Sequence, residues 1–262
     1  MKRFTFLASI MLFVTIGAIA QSEKTTVIIN KSDGDTEKVT IVEKLLNDNL
    51  YDPLPDLYYS YLNMRNGVFG PEANVPLRSS SFEWGLYSMD QLFCTKDGHF
   101  GMTAGLGISN SYNYFDHNVV LRIDDDREAY FQSLNAYSSE EGNGPTNNFA
   151  HRSFLRYWSL RLPLMIQGQW LVNDTPLVVA AGAELEWRFG MRSFARYGGS
   201  KHTVTDNLNY QPVGVNALLS FRASNSVVFL RVGLTEMFSV KDATDSKINV
   251  CQASLGFGFN LD

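Results

Sequence analysis

The chain has 262 residues and a formal net charge of −5, which makes nucleic acid a poor partner. Its length suits one large β domain or two small ones. Past residue 20 the most apolar segments are broken by Arg161, Pro163 and Glu184, so no stretch has the length of a membrane-spanning helix and any crossing would be made by strands.

Residues 1–20 read as an export signal. Lys2 and Arg3 precede an apolar run from Phe4 to Ala20 that closes on Ala18-Ile19-Ala20, a small-x-small site for cleavage before Gln21. Cleavage would remove both cations and move the formal charge from −5 to −7. No cysteine follows the cut directly, which argues against a lipid-anchored form. The alternative is an uncleaved N-terminal anchor, since the run sits near the lower limit for a spanning helix.

Residues 21–55 form an acidic N-terminal segment expected in the periplasm. Thr26 to Asn30 and Thr36 to Val42 are spaced to pair across Ser32-Asp33-Gly34, with a helical turn near Glu43 to Leu46. A disordered tail, a folded plug and a partner-binding strand all fit this composition.

From residue 56 to 262 the pattern has a period of two. A Tyr-rich run over 56–69 has no clear phase. In 80–93, Phe82, Trp84 and Leu86 oppose Glu83 and Gly85; in 99–111, Phe100, Met102, Ala104, Leu106 and Ile108 oppose Gly101, Thr103, Gly105, Gly107 and Ser109. In 153–171, Trp158, Leu160, Leu162, Leu164, Ile166 and Trp170 oppose Ser159, Arg161, Gln167 and Gln169. Segment 176–191 is the clearest: Leu177 through Met191 at odd numbers share one face, and Ala180, Gly182, Glu184, Glu186, Arg188 and Gly190 share the other.

Segment 212–223 sets Val213, Val215, Ala217, Leu219 and Phe221 against Gly214, Asn216, Ser220 and Arg222. In 227–240, Val228, Leu230, Val232, Leu234 and Phe238 oppose Arg231, Gly233 and Thr235. In 248–260, Cys251, Ala253, Leu255, Phe257 and Phe259 oppose Gln252, Ser254, Gly256 and Gly258. Lys96-Asp97-Gly98, Asn173-Asp174 and Ser224-Asn225-Ser226 read as tight turns, alternating with long polar links over 70–79, 124–152, 192–211 and 241–247.

About eight strands with short and long connections in alternation describe an all-β fold: a closed, up-and-down antiparallel transmembrane barrel of the outer membrane, both termini periplasmic. Its interior face would carry a charge cluster of Glu83, Arg161, Glu184, Glu186, Arg188, Arg222 and Arg231. A soluble barrel would put apolar side chains there instead. Counting back from an Asn173-Asp174 turn places Arg161 directly across from Glu186.

The stretch Tyr157-Trp158-Ser159-Leu160-Arg161-Leu162-Pro163-Leu164, followed by Ala180 through Gly190, resembles the outer-membrane β-barrel family of Bacteroidetes often called PorT-like, with the likeness running over about residues 57–260. Arg161 departs from the Glu or short aliphatic residue usual in that family. The resemblance implies an outer-membrane location and, in some relatives, a part in assembling or operating protein secretion; it implies no active site. Ser254, Gly256, Phe257 and Phe259 form the pattern by which the barrel-assembly machinery recognises a final strand, although three residues follow the last Phe.

No catalytic constellation stands out, and no cofactor is expected. His99, His117, His151 and His202 fall in loops or at strand ends without metal-ligand spacing. His151 with Ser153, or His202, would be the candidates if the barrel were a lipid-modifying enzyme. Asp124-Asp125-Asp126 lacks calcium-loop spacing. The expected role is structural, docking or secretion-associated, with outer-membrane lipid and lipopolysaccharide around the barrel and a protein partner at the loops or in the periplasm. The alternatives are a small-solute or ion conduit and a lipid-modifying enzyme.

Overall fold

The computed structural model describes residues 29–30, 36–37, 50–66, 80–95, 97–115, 119–124, 128–134, 136–137, 152–173, 175–197, 200–241 and 247–261. The expected export signal and the helical turn near Glu43 lie outside these residues. Near the N-terminus β1 (Ile29–Asn30) pairs with β2 (Thr36–Glu37) in a two-stranded antiparallel sheet.

The remaining strands, in chain order, are β3 (Leu57–Asn66), β4 (Phe82–Cys94), β5 (Phe100–Tyr114), β6 (Val119–Ile123), β7 (Ala129–Ser133), β8 (Arg152–Val172), β9 (Thr175–Tyr197), β10 (Ser200–Thr205), β11 (Val213–Ala223), β12 (Ser226–Gly233), β13 (Phe238–Lys241) and β14 (Lys247–Phe259). Eight of them, β3, β4, β5, β8, β9, β11, β12 and β14, pair antiparallel in sequential order, and β14 closes the ring by pairing with both β3 and β12.

Side-chain parity makes this barrel inside-out. On β8, Ile166 is 64% exposed on the outer wall while Arg161 is 0% exposed inside. From Trp158 to Trp170 the β8 wall is a column of Leu160, Leu162, Leu164 and Ile166 between two tryptophans. Twelve residues at about 3.3 Å each and a tilt near 45° give about 28 Å of height, close to a hydrocarbon thickness of about 30 Å. Trp84 packs edge-on against Trp158 at one end and Phe100 against Trp170 at the other, so aromatic rings mark both borders.

The three expected tight turns lie at one end. Asn173 (φ 49°) links β8 to β9 and Ser224 (φ 54°) links β11 to β12, while Ser226 belongs to the strand rather than the turn. The C-terminus returns to this end, where the Leu261 N–H donates to Asp56 Oδ2 at 2.8 Å. At the opposite end the structure differs from the expected polar links. β9 runs on to Tyr197 and folds back as β10, while β6, β7 and β13 build further strand structure over the barrel mouth.

Cys251, Met191 and Phe238, all expected on the lipid face, are buried, the last two because the backbone departs from a regular strand. Gly190 adopts φ 62°, and the β8–β9 register places Gly190 and Met191 opposite Tyr157 alone. This bulge reverses the parity of β9 beyond it, turning Met191 inward and leaving Gly190 exposed. Phe238 is buried because the expected long strand breaks after Gly233 and resumes as β13, which folds over the mouth. Met191 and Phe238 join an apolar cap with Met64, Leu155, Tyr157 and Val250. The Tyr-rich first strand takes the phase that points Tyr58, Ser60 and Leu62 inward and Leu57, Tyr59 and Tyr61 outward. Cys94 lies beside a tight turn and Cys251 toward the other end, and the two are not joined in a disulfide.

Gly190→Val should destabilise the folded barrel by about 1–2 kcal/mol, because a side chain at positive φ crowds its own backbone. Gly190→Asn should cost less, and urea unfolding of the refolded protein measures the difference. At the β4–β5 turn, the Thr95 hydroxyl and the His99 N–H donate to Asp97 and hold its carboxyl below the usual carboxylate value. The turn is then fully capped above the unfolded value of about 3.9 and loosens as pH falls through the lowered folded value. Amide exchange at Gly98 and His99 should speed up over that window, and Asp97→Asn should abolish the pH dependence.

Candidate functional site

Along β8 the inward side chains name the layers of the interior. Leu155 and Tyr157 belong to the apolar cap, Ser159 and Arg161 to a charged layer, Met165 to a second apolar layer with Tyr58, Tyr87, Leu218 and Phe229, and Gln167 and Gln169 to a polar floor. This order follows from the strand sequence itself, since alternate residues all face the same lumen.

The charged layer is organised by Arg161. Its Nη1 donates to Glu184 Oε1 at 2.6 Å, its Nη2 to Glu83 Oε2 at 2.7 Å and to Glu186 Oε1 at 2.8 Å, and its Nε to Ser109 Oγ at 2.9 Å. Glu186 is directly across from it in register. Arg231 Nη1 donates to Glu83 Oε1 at 2.7 Å and Nη2 to the Tyr87 hydroxyl at 2.6 Å, which in turn donates to Glu184 Oε2 at 2.5 Å. Arg231 Nε lies 3.0 Å from Glu184 Oε1, but its N–H is not aimed along a hydrogen bond.

Arg188 donates to Glu186 Oε2 from Nε at 3.1 Å and from Nη2 at 2.9 Å. Its guanidinium occupies the space that a Cβ on Gly214 would take, so glycine is needed there. Asn216 Nδ2 donates to Glu184 and Glu186, Tyr58 and Ser111 donate to Glu83, and Arg231 also reaches Ser254. Three carboxylates and three guanidiniums thus form one neutral, buried network. A buried charge requires such pairing, because the barrel interior offers no bulk water to solvate it.

Of the seven expected interior charges, the structure brings six together and sets one apart. Arg222 is buried at the turn end, where it donates to Ser224 O at 2.6 Å and Asp52 O at 3.1 Å and stacks on Tyr51. There it holds an element that sequence reading assigned to the N-terminal segment. Residues 50–56 enter the mouth of the barrel: the Tyr51 N–H donates to Gln169 Oε1 at 2.9 Å, Gln167 Nε2 donates to Tyr51 O at 2.7 Å, and Leu54 is fully buried among Tyr58, Tyr87 and Met89. The alternation of β4 already puts Tyr87 and Met89 on the face of Glu83. The strap of residues 50–56 has no periodicity that would have announced it.

On the closing strand Ser254 and Gly256 face inward, and Phe257 and Phe259 face the outer wall. His99 Nδ1 lies 3.1 Å from Gln169 O, His202 sits on β10 opposite Ala195, and His117 and His151 lie outside the described residues. The Ser153 hydroxyl is engaged by Val119 O. Asp124 Oδ1 accepts from the Glu128 N–H at 2.7 Å, and Asp125 and Asp126 lie outside the described residues. Among the described residues no group of three or more His, Cys, Asp or Glu is arranged to hold a metal.

A closed ring of eight antiparallel strands with an apolar outer wall, aromatic borders and a charged interior defines a transmembrane β-barrel. No family model matches the chain, and no curated protein matches it. Among solved structures, Ail, the attachment invasion locus protein of Yersinia pestis, in complex with the heparin analogue sucrose octasulfate, is similar over 78% of this chain and 95% of that chain, at 12% sequence identity and a TM-score of 0.32.

Arg161→Met should cost about 3–5 kcal/mol of stability, because it leaves three buried carboxylates facing two guanidiniums. Adding Glu186→Gln restores the charge balance and should recover part of that loss. Unfolding midpoints of the two single variants and the double variant check this, and strictly additive losses would contradict the shared network.

Proposed function

We propose that this protein is an integral outer-membrane barrel that works as a docking scaffold rather than a conduit or an enzyme, in the manner of a PorT-like secretion component. The observation that carries this reading is the lumen. Arg161, Glu83 and Glu184 are each 0% exposed, and they are closed in by an apolar cap on one side and the strap of residues 50–56 on the other. An eight-stranded barrel is only wide enough for its own side chains, and this one fills that width with a neutral network instead of a one-sign lining that would pass ions.

Export supports the placement: residues 1–20 carry the features of a signal, and the last strand carries Ser254, Gly256, Phe257 and Phe259 for the assembly machinery. With the tight turns and both ends of the barrel on one side, that side is the periplasm, and the projecting β6–β7 and β9–β10 hairpins form the outer docking surface. A partner in the periplasm would then be met by the part of the N-terminal segment that precedes residue 50.

The protein should fractionate with the outer membrane and migrate faster on a gel when unboiled, while recovery in the soluble periplasm would overturn the placement. In planar bilayers the purified barrel should give no conductance steps. Steady open-channel steps would replace the scaffold reading with a conduit.

A further inference from the structure

We propose that the projecting ends of β8, β9 and β10 bind the phosphate groups of a phosphorylated glycolipid in the outer leaflet. The proposal rests on the outer-membrane placement above. Register sets Arg152 directly across from Arg196, and Arg196 directly across from Lys201, so three cations form one row over three strands. Four residues nearer the membrane, Arg156 is directly across from Arg192. Like charges in directly opposed positions repel, and the wall is locally unfavourable unless an anion lies over it.

All five side chains share the outer face. β8 keeps its parity through Trp158, and the Gly190 bulge turns Arg192 and Arg196 outward on β9, while the intervening Ser153, Leu155, Ser193 and Ala195 are buried inward. Among the described residues no carboxylate pairs with any of the five. Instead Arg156 lies over the Tyr112 and Trp158 rings, and Lys201 Nζ lies 3.7 Å from the Phe194 ring centre. Desolvation against these rings, with Arg156 and Arg196 nearby, pushes the Lys201 ammonium below its ordinary value. The chain as a whole is acidic, so this concentration of cations is a local feature.

Height selects a lipid over a soluble polyanion. Arg156 lies two residues beyond Trp158, about 5 Å above the aromatic border and within the head-group layer, and Arg152 lies six residues beyond it, about 14 Å up, one long side chain's reach above that layer. Directly beneath is a column of half-buried Leu160 and exposed Leu162 and Leu164, where acyl chains of the same molecule would lie. Arg guanidiniums pair with phosphate oxygens through two parallel N–H bonds, and a row of three cations spaced about 5 Å apart can engage more than one phosphate.

The test uses the full mature chain folded in nanodiscs of zwitterionic phospholipid, doped with fluorescent lipid A carrying both phosphates or with its dephosphorylated form. The wild-type barrel should enrich the phosphorylated lipid around it by at least about tenfold over the dephosphorylated form. Arg152→Gln/Arg196→Gln/Lys201→Gln should bring the two to near parity, and Arg65→Gln on the distant strand β3 should leave the preference intact. Heat-modifiable migration of each variant confirms that it is folded. Equal enrichment of the two lipids by wild type, or an undiminished preference in the triple variant, overturns the site. Binding of soluble polyphosphate in preference to phosphorylated lipid A overturns its assignment to lipid. A barrel that folds in nanodiscs without phosphate preference contradicts this inference alone, whereas soluble recovery from cells contradicts the outer-membrane placement.

Discussion

Neutralising buried charge is the constraint on which the rest of the barrel depends. Every strand of the ring supplies at least one group to the network: Tyr58 from β3, Glu83 and Tyr87 from β4, Ser109 and Ser111 from β5, Arg161 from β8, Glu184, Glu186 and Arg188 from β9, Asn216 from β11, Arg231 from β12 and Ser254 from β14. A guanidinium moved from water into this interior is tolerable only when its partners are already in place. The network is therefore complete only in the closed ring. Closure and charge pairing are two aspects of one event, and a slip of one residue in any strand would carry its charges to the lipid side.

The apolar layers above and below give the network its dry surroundings. Tyr58 and Tyr87 stack with ring centres 5.2 Å apart beneath the carboxylates, while Tyr157 bridges to Gln252 in the cap. Sealed this way, the interior contributes rigidity to the ring. The bulge at Gly190 links the two regions, because it ends the lipid-facing parity of β9 and turns the following residues into an outward row of cations. One left-handed glycine thus marks where wall becomes rim.

Much of the barrel was legible in the sequence. Period-two alternation identifies the wall and the lumen of β4, β5, β8, β9, β11 and β14, since each residue along an extended chain faces opposite to the last. The turn at Asn173 sets the β8–β9 register and hence the meeting of Arg161 with Glu186. Parity failed at Met191 and Phe238 because a bulge and a strand break leave no trace in hydrophobic alternation. It also left the first strand unphased, because tyrosine is compatible with either face: Tyr59 lies against the membrane, and Tyr58 hydrogen-bonds inside.

By itself the sequence determined that the chain is a β protein with an apolar wall and a charged interior, because local alternation and turn chemistry act between near neighbours. Only the tertiary structure decided which of those charges meet, that Arg161 serves three carboxylates rather than one, that Arg222 holds the strap of residues 50–56, and that five cations gather at the rim. These are contacts between residues far apart in the chain, and they exist only once the ring has closed and fixed the height of every side chain relative to its neighbours on other strands.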